Sequence, residues 1–196
     1  MRIINALVTL FLYPVSLLIW HNDLAYKKFL YNRKGRKFFL EKYLVSVYTK
    51  RLSSKGSYIG QFATFKNNPI FPHGIYGVFI SGDSVIGRNC VIYQQVTIGS
   101  NTLKGNSHFG SPKIGDNVLI GAGAKVIGKV TVGNNVRIGA NAVIVRDVPD
   151  NCVVVSSGRV IQKEGTLDNR YYSYGNGKWG YFKDGSFVID ESMNNK

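Results

Sequence analysis

Three histidines, His21, His73 and His108, are the side chains in this sequence whose unperturbed acidity lies near neutral pH. His73 stands in FPHGIYGVFIS, between Pro72 and Gly74, where the regular spacing of the flanking sequence lapses. An imidazole there can leave the core, face a cleft and take a proton from a hydroxyl as a general base. His108 lies in the polar stretch SNTLKGNSHFGSPK and suits either a solvated loop position or a contact to a bound hydroxyl compound. His21 follows an apolar segment and reads most simply as an interfacial residue. A carboxylate would orient the base and stabilise its charged form. Asp83 is the nearest candidate, with a polar corner as its bland alternative; a backbone carbonyl could orient the ring instead. No metal is expected, because a zinc site needs converging ligands and these histidines are isolated in sequence. Cys90 and Cys152 are too few for a disulfide framework, and Cys90 falls on an inward repeat position that suits a small hydrophobe.

The element that must position His73 is a six-residue repeat. Ile114, Ile120, Val126, Val132, Ile138 and Ile144 are each six apart, and Gly115, Gly121, Gly133 and Gly139 follow four of them. Smaller residues precede the aliphatics by two positions: Val118, Ala124, Val130, Val136 and Ala142. Ile80, Ile86, Ile92 and Ile98 carry the same register upstream, with Ser84, Cys90 and Val96 in the small position. A helix cannot use this period, since six residues rotate its apolar face by roughly 240°. A short strand followed by a glycine-bearing corner can, and three such units close a triangular coil whose stacking buries one column. The spacing therefore predicts a parallel β-helix over residues 57–161. Sixteen positions separate Ile98 from Ile114, so residues 100–113 are expected to bulge out as a loop on the functional face.

Two flanking regions differ in composition. Residues 1–56 are helical in pattern, and ten Lys or Arg against Glu41 fall between Lys27 and Lys55. Residues 3–20 are the most apolar, interrupted by Pro14, and read as a packed helix, as a shallow membrane-associating one helped by the basic stretch, or as a membrane-spanning one whose length they just reach. No small-residue cleavage site follows, so a removable signal peptide is not expected. The net charge of +14 suits an anionic surface or a polyanion; no nucleic-acid reading motif accompanies it. Residues 162–196 are aromatic, and Asn176-Gly177 and Asp184-Gly185 between alternating strands predict a three-stranded meander.

FPHGIYGVFIS, VIGRNCVIYQQVTIGSNT, PKIGDNVLIGAGAKVIG and VRIGANAVIVRDVPDN resemble the hexapeptide-repeat acyltransferases, in the branch of serine O-acetyltransferase and bacterial polysaccharide O-acetyltransferases. The resemblance implies a left-handed coil, a homotrimer with sites between neighbouring prisms, and acetyl-CoA as co-substrate. It places His73 where the family has its catalytic base. Ala122, Ala140, Val145, Arg146 and Arg159 match CoA-contacting positions, although SSGRVI around Arg159 departs from the family ending by one residue and lacks its proline. In the serine enzymes a loop histidine contacts the acceptor three residues before the repeat aliphatic. Ser111 holds that place here and His108 comes earlier, so both are candidate acceptor-binding residues.

Those enzymes also carry aspartates where this chain has Tyr58 and Pro72. An amino acid acceptor has an ammonium group that calls for acid, whereas a sugar hydroxyl does not. The expected reaction is therefore transfer of acetyl from acetyl-CoA to a sugar hydroxyl of a bacterial surface glycan or its precursor. Serine O-acetylation, another small acceptor and a non-catalytic structural solenoid stand as alternatives. The tail aromatics Tyr171, Tyr172, Tyr174, Trp179, Tyr181 and Phe182 offer sugar platforms or an ordinary packed face. The expected location is cytoplasmic, with peripheral contact of residues 1–55 at the inner face of the membrane.

Overall fold

The computed structural model describes residues 38–103, 105–175 and 177–194. The apolar segment 3–20, His21 and the basic residues up to Lys37 lie outside the described residues. The chain divides into two compact units, Met1–Gly56 and Ser57–Lys196. In the first, one helix is described, α1 (Phe38–Ser54), with Arg51 in its last turn against the negative end of the helix dipole. It ends where Gly56 adopts φ +60°, its N–H donating to Ser53 O at 2.9 Å. Among the described residues, no helix is long and apolar enough to cross a membrane.

The second unit begins as a parallel coil with three faces. The first face is β1 (Tyr58–Ile59), β3 (Phe79–Ile80), β6 (Thr97–Gly99), β9 (Lys125–Ile127) and β12 (Val143–Ile144). The second is β2 (Thr64–Phe65), β4 (Val85–Ile86), β7 (Lys113–Ile114) and β10 (Thr131–Val132). The third is β5 (Val91–Ile92), β8 (Leu119–Ile120), β11 (Arg137–Ile138) and β13 (Cys152–Val154). Register follows the six-residue repeat: Ile80 pairs with Ile98, Ile86 with Ile114 and Ile92 with Ile120. Ile80, Ile86, Ile92, Ile98, Ile120 and Ile138 are all 0% exposed, and Ser84, Cys90 and Val96 fill the small positions beside them. Burial pushes the Cys90 thiol up to about 12, so it behaves as an inert apolar group.

The corners need residues in left-handed backbone. Asn89, Asn117, Asn135 and Asn141 supply it with φ between 54° and 57°, as asparagine does more readily than most residues. Glycine is required where rungs approach: a Cβ on Gly87 would run into the Gly115 carbonyl.

The coil does not continue through residue 161 as a further parallel rung. Instead β14 (Val160–Gln162) turns back and pairs antiparallel with β13, closing the end of the sheet. The following segment returns along the corner between second and third faces, held by Asn169, whose buried Nδ2 donates to Asn117 O at 2.9 Å and Val136 O at 3.0 Å. It leads into an antiparallel meander of β15 (Tyr172–Gly175), β16 (Lys178–Lys183) and β17 (Ser186–Ile189), then a short helix α2 (Glu191–Asn194). The Asp184-Gly185 turn has both residues at positive φ, 48° and 82°, which matches the twist of a tight hairpin.

Candidate active site

His73 owes its position to an enlarged corner between third and first faces. Val91 and Thr97 are six positions apart across the same corner one rung later, whereas Ile70 and Phe79 are nine apart. The extra residues lift His73 into solvent, with Gly74 and Gly77 at φ 75° and 64° absorbing the bends. The imidazole Nδ1 lies 2.9 Å from Gln94 Oε1, and the Tyr93 ring meets it edge-on at 5.6 Å. With the amide oxygen as acceptor, Nδ1 carries the proton and Nε2 keeps its lone pair.

Gln94 belongs to the next rung, where its carbonyl accepts from Gly123 N at 3.0 Å; Gln95 N donates to Tyr76 O at 2.9 Å. Ala122 O in turn accepts from Asn141 N at 2.9 Å. His73, Gln94, Ala122 and Ala140 therefore stand on four successive rungs of one edge, each separated by about 4.8 Å. Beyond Gln94 the rung positions on this edge are Ala122 and Ala140, which lets an extended ligand lie close to backbone. At its far end Val145, Arg146, Ser157 and Gly158 border a groove of about 230 Å³, and Arg146 Nη2 donates to Gly158 O at 3.4 Å. Arg159, exposed in the adjoining turn, accepts at its carbonyl from Val155 N at 3.1 Å. Two cations thus flank the end where a phosphate-bearing ligand would need them.

Asp83 does not join this edge. It follows Ile80 by three residues, which carries it round to the corner between first and second faces, where it is exposed with φ 63°. The partner of His73 within the chain is a neutral amide instead of the expected carboxylate. Gln94 was not singled out from sequence, yet a signal existed: pairing of Val91 with Leu119 puts Gln94 level with Ala122.

The loop predicted at 100–113 leaves the coil between β6 and β7, also at the first-to-second corner. Asn101 and Gly110 close it by exchanging N–H···O bonds of 2.9 Å, and Lys129 N donates to His108 O at 2.9 Å. The His108 side chain is exposed. Ser111 is engaged in structure: its Oγ donates to Gly82 O at 2.9 Å and lies 2.7 Å from Ser100 Oγ. Within one chain, then, the loop and His73 occupy different corners. Among the described residues there is no group of His, Cys, Asp or Glu able to hold a metal ion.

Comparison with known proteins accords with this geometry. Residues 111–146 match the family model described as bacterial transferase hexapeptide (six repeats). Serine acetyltransferase of Staphylococcus aureus is 36% identical over 162 residues, covering 78% of this chain and 70% of that protein. That of Synechococcus elongatus is 47% identical over 95 residues, but the match spans only 37% of the cyanobacterial protein. Among solved structures, serine acetyltransferase of Neisseria gonorrhoeae superposes with a TM-score of 0.61 at 28% identity, covering 74% of this chain and 54% of that one. The soybean enzyme complexed with serine gives 0.59 at 30% identity, covering 71% and 56%. The chain thus spans about half the length of these solved relatives.

The coil is a left-handed parallel β-helix, and its fold together with the family match defines a hexapeptide-repeat transferase. Within that class, the chain belongs to the serine acetyltransferase family.

Proposed function

We propose that this protein is an acetyl-CoA-dependent O-acetyltransferase with L-serine as its acceptor and His73 as general base. The observation that carries the reading is the His73 edge: an exposed imidazole held through Nδ1, continuous with a ladder of small residues that ends at two arginines. Nε2 takes the acceptor hydroxyl proton as the oxygen attacks the thioester carbonyl. Collapse of the tetrahedral intermediate breaks the carbon–sulfur bond, and the imidazolium returns its proton to the departing thiolate. Ala122 and Ala140 let the pantetheine arm approach backbone, and Arg146 and Arg159 suit its phosphates. The serine acetyltransferases to which the chain is similar move the reading from the sugar expected above towards serine. Purified protein given acetyl-CoA and L-serine should release free thiol and form O-acetylserine. Acetyl-CoA hydrolysis without a serine product would remove serine as acceptor.

One observation favours a second reading. Tyr58 and Pro72 offer no carboxylate where the serine ammonium would need one, and the partner of His73 is neutral. A sugar hydroxyl would make no such demand, and transfer to saccharide acceptors in the absence of serine turnover would select this reading.

The same geometry supports a homotrimer. Tyr58, Phe79 and Val143 are about half exposed and fall in register on the first face, which lies between the His73 corner and the loop corner. Packing that face against another copy covers apolar surface and brings the loop of one chain to the His73 edge of its neighbour.

A further inference from the structure

The returning tail encloses a second cleft, of about 410 Å³, along the corner between second and third faces. This is the size range of small-molecule sites. Its floor is apolar: Ile70 and Val91 of the third face. One wall is a column of corner asparagines, Asn89, Asn117 and Asn135, one per rung. The opposite wall is aromatic, with Tyr171, Tyr181 and Phe182.

The polar groups in this cleft are only partly used. Asn117 Nδ2 donates to Asn135 Oδ1 at 3.2 Å, and Asn89 Oδ1 accepts from Asn67 Nδ2 and Asp184 N, each at 3.1 Å. Asn89 Nδ2, Asn117 Oδ1 and Asn135 Nδ2 have no hydrogen-bond partner among the described residues. Two amide donors and one acceptor are thus left over on residues that line the cleft. The charge is largely compensated: Arg170 lies between Asp168 at 2.7 Å and Asp190 at 3.7 Å, with its guanidinium 4.2 Å over the Tyr181 ring. Lys183 stands exposed at the rim.

We infer that this cleft is a saccharide-binding site for a neutral pyranose unit, separate from the His73 edge. A pyranose has an apolar face that stacks on rings such as Tyr171 and Phe182, and an edge of hydroxyls that both donate and accept. The asparagine column offers both amide hydrogens and a carbonyl oxygen, while the compensated charge disfavours a strongly anionic ligand. The cleft lies on the corner opposite the first face, so packing of copies through that face leaves it open. The inference does not depend on which hydroxyl His73 serves.

The test is a glycan array of neutral and anionic bacterial oligosaccharides, probed with the full chain and followed by calorimetric titration of the retained sugars. Wild type should retain neutral glycans, and Asn135→Gly and Tyr171→Ala should each weaken retention tenfold or more. Asn135→Gly keeps the left-handed backbone, so it decides the matter if Tyr171→Ala melts early. His73→Ala should bind glycan like wild type while losing acetyl transfer, which separates this site from the proposed active site. Absence of neutral-glycan retention by wild type, or retention unchanged in Asn135→Gly, would overturn the inference.

Discussion

His73 and Gln94 come from successive rungs of one corner and share a hydrogen bond of 2.9 Å between Nδ1 and Oε1. The relationship replaces the carboxylate that usually orients a catalytic imidazole with a neutral amide. An amide fixes the ring and its tautomer but lacks the negative charge with which a carboxylate would favour the imidazolium.

Replacing the amide by a carboxylate should therefore change pH dependence more than geometry. Gln94→Glu is expected to move the acid limb of the kcat/KM profile to higher pH, because a negative partner favours the protonated ring that cannot act as base. Gln94→Ala should lower kcat by roughly 10-fold or more with a smaller change in KM, through loss of orientation. Unaltered profiles in both variants would remove Gln94 from the site.

Asp116 ties three rungs together on the corner between second and third faces. Its Oδ1 accepts from Arg88 N at 2.9 Å and Lys66 Nζ at 3.1 Å, and these bonds hold its carboxyl below the ordinary carboxylate range. A group with a depressed folded-state pKa contributes stability above its unfolded value, about 4, and loses it as pH falls through the folded value. Asp116→Asn should cost about 1 kcal/mol at pH 7, mostly by turning the charge-assisted bond from Arg88 N into a neutral one, since the Lys66 contact is well exposed. That difference should shrink in melts below pH 4; a constant or growing difference would contradict the assignment.

Two glycines on neighbouring corners should differ widely in their response to alanine. A Cβ at Gly87 collides with the Gly115 carbonyl, which belongs to a rung that cannot move, so Gly87→Ala is expected to destabilise by roughly 3 kcal/mol. Gly82 has open space around its Cβ direction, and Gly82→Ala should change stability by less than about 1 kcal/mol. Chemical denaturation compares them directly, and equal losses would refute the tight-rung account.

Assembly through the first face predicts that one charge placed there has a large effect. Phe79→Glu, next to Tyr58 and Thr97 in register, should convert trimer to monomer in analytical ultracentrifugation. Acetyl transfer should fall with it if the loop of a neighbouring copy completes the site. A trimeric Phe79→Glu variant would move the interface elsewhere.

The coil was legible because each rung repeats the same demand: a large aliphatic such as Ile120 inward, a small residue such as Val118 beside it, and a residue at the corner that tolerates tight turning. His73 was legible as a break in that rhythm. Gln94 was not, because the identity of a corner side chain is free of the core's constraint and its neighbour across the rung lies 21 residues away. Asp83 stands on a different corner from His73 within one chain for the same reason: closeness in sequence says little when each six residues carry the chain to another face. The reversal at β14 also escaped, since Val160 and Ile161 are as apolar as a true rung and their direction is set by the turn at Gly158, where φ is 74°.

The most direct test is the rate of acetyl-CoA-dependent O-acetylation by His73→Ala, with folding matched to wild type by circular dichroism and assembly by sedimentation. The account predicts a loss of about 10²-fold or more in kcat with acetyl-CoA binding retained. A folded, assembled variant that turns over at the wild-type rate would show that this imidazole is not the base.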